Sequence, residues 1–300
     1  MAFDWYQASV QASQASSRDV LLWARGLGDE ARPSPGLARM YRYGEAWHVF
    51  RQGVGPVCAV LGMAEHGGSH VIATGEHAAP FVGVFRREFP EHQVTRADVA
   101  CDFFGGADYD RDRGRLRVIA EAHGVSFPQI ADDLDKGAGR TQYLGSPRSC
   151  ARVRFYEKGL EMQGAMRRQI AGGVPVVFVT EDGEILEPGE WLRLECQVRP
   201  EKGEARQELA VAEAREFWGC SPVLRSVYQE FFGSDVEARS IQVKRGKSEA
   251  EKALVCLCLQ YGRHLGWLRD QAGSDEAFGK LIREQVEAIA LAKRTGMCAV

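Results

Sequence analysis

The sequence predicts an α+β fold: an antiparallel sheet with helices over one face and a charged, candidate catalytic face on the other, followed by a helical C-terminal part. Three observations carry this expectation. Residues 94–102, 151–158 and 191–199 alternate between apolar and charged side chains with a two-residue period, the pattern of strands with one buried face. Short segments rich in Val, aromatics and Gly at 47–60 and 70–75 read as further strands joined by tight turns. From about residue 203 the apolar spacing changes to that of helices. The domain boundary is therefore expected after residue 202, between a strand-rich domain (1–202) and a helical region (203–300).

Taken in order, FDWYQASV opens the chain as a strand, and the Ser-led stretch SSRDVLLWARGL reads as a helix. ARPSPGLA reads as a Pro/Gly loop. HAAPFVGVFRREFP is helical, with Phe81, Val84 and Phe85 at helical spacing. VTRADVACDFF (94–104) is a strand, and 111–123 a helix. Residues 141–161 read as strand, turn, strand, and 174–200 as a hairpin leading into another strand. EARQELAVAEAREFWG and two longer segments up to residue 294 read as helices. No internal repeat is visible.

With 300 residues, 45 % of them hydrophobic, the chain can bury a substantial core. No apolar window reaches the length of a membrane span and the N-terminus lacks a signal-peptide pattern, so a cytoplasmic (host cytoplasm) protein without membrane contact is expected. Eight cysteines form no CxxC pair, which favours reduced thiols over zinc or disulfides. The net charge of −3 argues against a general polyanion binder. Locally the balance reverses: residues 137–169 hold seven Arg or Lys and two Glu. A charge cluster is most simply a solvated face, but this one surrounds Tyr156.

The polar faces of the three strands hold Arg96, Asp98 and Asp102; Arg152, Arg154, Tyr156 and Lys158; and Arg193, Glu195, Gln197 and Arg199. Cross-strand pairing of opposite charges would account for much of this. Carboxylates from two strands also suit Mg²⁺ or Mn²⁺, hard cations that take oxygen ligands and share coordination with phosphates. Asp98, Asp102 and Glu195 are the candidate ligands. Arginines would hold the flanking phosphates as bidentate forks. Tyr156 could act as an oxygen nucleophile, provided that Arg154 and Lys158 favour its phenolate.

VTRADVACDFF, TQYLGSPRSCARVRFYEKGLE and WLRLECQVRP resemble, in that order, the three signature segments of the replication initiation factor (Rep_trans) family, rolling-circle initiators of plasmids and filamentous phages. The matching positions are Thr95, Arg96, Asp98, Asp102 and Phe103; Tyr143, Gly145, Ser146, Ser149, Arg154, Tyr156, Lys158 and Glu161; and Trp191, Arg193 and Glu195. FDWYQASV also resembles phage members. The likeness spans about 94–200. It implies sequence-specific nicking of one origin strand, with a tyrosine joined to the 5′-phosphate and later strand rejoining. It places the nucleophile on Tyr156 and the acidic metal positions on Asp98, Asp102 and Glu195, without deciding between the aspartates. By proximity, Lys158 and Arg154 would serve the scissile phosphate, while Arg96, Arg148, Arg152 and Arg193 would bind DNA. Origin DNA, a host helicase and replication machinery, and a second copy of the chain are the implied partners.

The pattern departs from better-known rolling-circle nucleases in lacking a His-hydrophobic-His pair; His66 and His70 lie four apart in a Gly-rich stretch and read as surface residues. Tyr143 reads as structural, and Tyr228 and Tyr261 as helix-packing residues. The turn at 145–152 is either a plain hairpin turn or a phosphate contact. Phe103 and Phe104 are candidates for base stacking or core packing. The helical C-terminal positions Leu254, Leu257, Tyr261, Leu265 and Leu268 read as core, with a dimer or helicase contact as the alternative. Cys256 and Cys258 on that helix suggest no metal, and the basic segment 241–252 reads as a solvated linker, with a phosphate contact as the alternative. Two other functions remain open: a non-catalytic origin- or operator-binding protein on the same scaffold, and a phage structural or assembly protein.

Overall fold

The computed structural model describes residues 1–62, 68–131, 139–169, 178–179, 183, 185–201, 203–239, 241 and 249–295. The expectations for His66, for residues 242–248 and for Cys298 lie outside these, as do the side chains of Arg167 and Arg168. The chain divides into two compact units, Met1–Val243 and Lys244–Val300. The first continues past residue 202, where the sequence reading placed its boundary, because the helices after 203 contribute Leu209, Phe217, Trp218, Leu224 and Val227 to the core beneath the sheet.

The first unit is α+β. Its strands are β1 (Ala2–Val10), β2 (Glu30–Pro33), β3 (Glu45–Arg51), β4 (Gly55–Gly62), β5 (Ser69–Thr74), β6 (Gln93–Phe103), β7 (Gln129–Ile130), β8 (Thr141–Leu144), β9 (Ala151–Glu157) and β12 (Leu192–Val198). They form one ten-stranded sheet ordered β2-β3-β4-β5-β1-β6-β12-β9-β8-β7, with antiparallel neighbours. A separate ribbon pairs β10 (Phe178–Val179) with β11 (Ile185–Leu186). The helices of this unit are α1 (Ser17–Arg25), α2 (Pro35–Tyr41), α3 (Ala78–Glu88), α4 (Tyr109–Ala122), α5 (Lys158–Gln169), α6 (Glu204–Val211) and α7 (Pro222–Phe232). Local chemistry sets their starts. Ser16 and Asp19 form a reciprocal capping box on α1, and Ser221 caps α7 ahead of Pro222.

The strand order repeats itself. In each half a strand (β1 or β6) leads through a helix (α1 or α4) into four antiparallel strands, the last of which returns beside the first. No repeat is visible in the sequence because the halves dress the same face differently. On β4 and β5 it carries Ala59, Leu61 and Ile72, packed with Ala38 of α2. On β6, β12 and β9 it carries charges.

Three elements differ from the sequence reading. ARPSPGLA is not a loop: Pro35 sits in the first turn of α2, where its missing N–H is harmless. The second charged strand stops at Glu157, one residue short of its expected end, and Lys158 begins α5. Gly159 makes this possible, since a Cβ there would lie 2.2 Å from the Pro188 carbonyl oxygen. The 204–219 segment is helical only to Val211, followed by a 3₁₀ stretch at Ala214–Cys220.

The second unit contains α8 (Glu249–Ala272) and α9 (Asp275–Thr295). Leu254, Leu257 and Tyr261 are exposed rather than core, whereas Leu265 and Leu268 are half-buried. Among the described residues no helix is long and apolar enough to cross a membrane.

Candidate active site

Cross-strand register arranges the polar face into rows. Asp98 faces Gln197, which faces Arg152. Ala100, Glu195, Arg154 and Tyr143 form the next row, and Asp102, Arg193, Tyr156 and Thr141 the third. Tyr156 is thus opposite Arg193 and diagonal to Glu195. The small Ala100 stands opposite Glu195, between Asp98 and Asp102 on β6.

This face is not the solvated surface that its charges suggest. Tyr156 is 3 % exposed, and Glu195 and Asp98 are each 2 % exposed. Lys158 and Met162 of α5, with Trp191, help to line a cleft of about 410 Å³ that reaches Asp4, Ala100 and Asp102.

At the centre, Arg154 Nη2 donates to the Tyr156 phenolic oxygen at 2.9 Å and to Glu195 Oε2 at 2.8 Å. One nitrogen therefore holds both oxygens, which lie no farther apart than those two bonds end to end. The guanidinium carbon also stands 4.3 Å from the Tyr156 ring centroid, and Lys158 Nζ 5.8 Å from it. Burial, followed by the Glu195 carboxylate, pushes the Tyr156 pKa well above the ordinary phenol value, and Arg154 only partly opposes them. The resting tyrosine is a neutral phenol, contrary to the expectation that its basic neighbours favour the phenolate.

The carboxylates separate into two groups. Glu195 contacts the Asp98 carboxyl, and burial with the Asp98 and Asp4 charges raises its pKa from 4.5 to about 8 despite Arg154. Asp98 also accepts from Arg96, with Nε at 2.9 Å, and from Gln197 Nε2 at 3.0 Å. Asp102 is held separately, by Arg193 Nε and Nη2 at 2.7 and 2.8 Å and by Trp191 Nε1 at 2.8 Å. Among the described residues no three metal-ligating side chains converge, so the expected set of Asp98, Asp102 and Glu195 is not assembled. Asp98 with Glu195 does fit a hard cation: each faces a guanidinium, Arg96 or Arg154, but Asp4 and Asp102 share Arg193, so the cluster sets four carboxyls against three arginines.

Arg193 departs from its expected DNA contact. It is turned into the sheet, paired with Asp102 and, through Nη1 at 2.7 Å, with Asp4. Asp4 is a residue of this cluster that the charge patterning did not single out; its only sequence signal was its place in FDWYQASV. Arg193→Ala is expected to lower stability by about 1–3 kcal/mol, since Asp4 loses its ion pair and Asp102 keeps only Trp191 Nε1. Equilibrium denaturant unfolding reads this directly, and a change below 1 kcal/mol would contradict it.

Arg96 likewise points at Asp98, while its guanidinium stacks 4.3 Å from the Trp5 ring centroid. Arg152 bonds Gln197 Oε1 at 2.8 Å over the Tyr143 ring, and Arg148 is exposed in the turn before β9. Lys158 pairs with Glu161 at 2.7 Å. Phe103 packs against Phe231 and Phe232 beneath the sheet, whereas Phe104 is exposed. Tyr228 packs against Trp218 and Phe232. His70 is not on the surface: it stacks on Tyr41, lies 3.2 Å from Ser9 Oγ, and burial lowers its pKa to about 4.

No family model matches the chain, and no curated protein matches it. Among solved structures, the rolling circle replication initiator protein from Geobacillus stearothermophilus is similar at 22 % identity and a TM-score of 0.45, covering 72 % of this chain and 82 % of that one.

Proposed function

We propose that the protein initiates rolling-circle DNA replication by nicking one origin strand through a covalent phosphotyrosine. The observation that carries this reading is the single Arg154 nitrogen shared by the Tyr156 phenol and Glu195, at the edge of a carboxylate pair suited to a cation. The three signature segments supply the pieces of the same site. Tyr156 oxygen forms a bond to phosphorus as the bond from phosphorus to the 3′ oxygen breaks. The phenol's proton is balanced by the one gained by the released 3′-OH, and the 5′-phosphate remains on the tyrosine. Arg154 orients the phenol and, once Tyr156 is engaged, offers its guanidinium to a phosphoryl oxygen. Lys158, 5.8 Å from the ring centroid, would leave Glu161 to meet the same phosphate. Asp98 and Glu195 would hold Mg²⁺ or Mn²⁺, which polarises the phosphoryl oxygen when bound. Rejoining is the reverse transfer to a 3′-OH, through Tyr156 again or through a second copy. A host helicase would unwind the duplex from the nick, and the host replication machinery would extend the 3′-OH.

The test uses supercoiled DNA carrying the parent replicon's origin, purified protein and Mg²⁺ or Mn²⁺. The expected products are an open circle and an SDS-resistant protein–DNA adduct. Tight, origin-specific binding with no cleavage would overturn the catalytic reading. It would favour a non-catalytic origin- or operator-binding protein, the alternative to which the burial of Tyr156 lends weight.

A further inference from the structure

The opposite end of the polar face carries an arrangement that the nicking chemistry does not use. One step beyond the Val198–Ala97 pair, Arg199 comes level with Arg96, and its backbone continues the pairing through Arg199 N to Cys150 O. Arg152 lies diagonally across on β9. Facing residues on adjacent strands stand about 5 Å apart at Cβ, and like charges directly opposite destabilise a sheet. Asp98 neutralises Arg96. Among the described residues Arg152 and Arg199 form no ion pair; their acceptors are the neutral Gln197 Oε1 at 2.8 Å and the Pro147 carbonyl at 3.0 Å. Burial and the charges of Arg96 and Arg152 hold the Arg199 pKa below its ordinary value. Two half-buried guanidinium groups thus lie diagonally across from one another, and Asp98, the carboxylate whose charge reaches Arg199, is already bonded to Arg96 and Gln197.

We infer that Arg152 and Arg199, with Arg96 behind them, form a second phosphate-binding subsite that grips the DNA strand away from the scissile phosphate. Guanidinium forks match phosphate oxygens bidentately. The arginines also stack on aromatic rings, Arg152 over Tyr143 and Arg96 over Trp5, which gives the patch the basic-and-aromatic makeup of single-strand grooves. Arg152 and Tyr156 are four residues apart on β9, about 13 Å along a strand, so the subsite would hold a phosphate a short distance along the same chain. Its position relative to the nick rests on the nicking reading; the phosphate site itself does not.

The test is fluorescence anisotropy of labelled single-stranded origin oligonucleotides, lengthened stepwise on either side of the nick position, with full-length Tyr156→Phe protein so that no turnover intervenes. Affinity should rise in a step once the strand spans the ~13 Å to Arg152. Arg199→Gln should remove that step, weaken binding about tenfold, and lower the slope of log K against log salt by about 0.7. Because the substitution removes a like charge, thermal stability without DNA should not fall. Unchanged affinity and slope at every length would overturn the inference. So would an equal loss with the shortest oligonucleotide, or a drop in stability that tracks the binding loss. Displacement by inorganic phosphate as effective as by DNA, phosphate for phosphate, would identify a free-phosphate site and also overturn it. A parallel adduct assay with Tyr156 intact separates the two readings. An adduct without the Arg199-dependent step rejects only this subsite; the step without an adduct rejects only the nicking.

Discussion

Tyr156→Phe is expected to eliminate the SDS-resistant adduct and to reduce strand cleavage by at least ~10³-fold, with DNA affinity unchanged. The substitution removes one oxygen atom from a packed ring. Arg154 Nη2 loses a bond of 2.9 Å but keeps Glu195 at 2.8 Å, so the cation is not left without a partner. The structural effect of losing that single hydrogen bond is about 1 kcal/mol. A loss of cleavage with the melting temperature almost intact therefore reports chemistry rather than unfolding. Tyr143→Phe is the control: its ring lies beneath Arg152, opposite Arg154 on the neighbouring strand and one row from Tyr156. Cleavage should survive in that variant. An adduct persisting in Tyr156→Phe and absent in Tyr143→Phe would move the nucleophile to β8.

Much of this site was legible because strands write their two faces into alternate residues. Arg154 and Tyr156, Glu195 and Gln197, and Asp98 and Asp102 could each be placed on one face from sequence alone. Which carboxylate stands beside which depends on cross-strand register, and no single segment encodes it. Register puts Ala100 rather than an aspartate opposite Glu195, so Asp98 and Asp102 go to different partners. It also ties Arg193 to Asp102 and Asp4, and Arg96 to Asp98, so neither is the unpaired DNA contact expected of it. The burial of Tyr156 was hidden for a related reason. The segment after it, KGLE, continues plausibly as strand, but Gly159 lets the chain close against Pro188 and start α5 at Lys158. Arg199 appeared on the polar list and went unassigned, since its meaning comes only from standing level with Arg96.

The Asp98–Glu195 pair yields a prediction that does not depend on observing cleavage. Glu195 has a folded pKa of about 8 against an ordinary 4.5, so the folded state holds a proton that the unfolded chain has released over that interval. A carboxyl raised in this way contributes stability that is complete below about pH 4.5 and is lost as pH climbs through 8. The metal-free protein should therefore melt progressively lower between those limits. Mn²⁺ or Mg²⁺ supplies the missing positive charge, and it binds only where protons have left, so its effect should be large at pH 8.5 and small at pH 5.5. At one hundred times the dissociation constant, binding adds about 2.7 kcal/mol, or roughly 5–10 °C in melting temperature for a unit of this size. Glu195→Gln should abolish the cation-induced shift and flatten the pH-dependent decline. Asp98→Asn should also abolish the shift, whereas Asp102→Asn should retain it, because Asp102 belongs to Arg193 and Trp191 instead. Differential scanning calorimetry at the two pH values, with and without the cation, measures all of these. An equal shift in wild type and Glu195→Gln would place the cation elsewhere, and a shift lost in Asp102→Asn but kept in Asp98→Asn would reverse the assignment of the two aspartates.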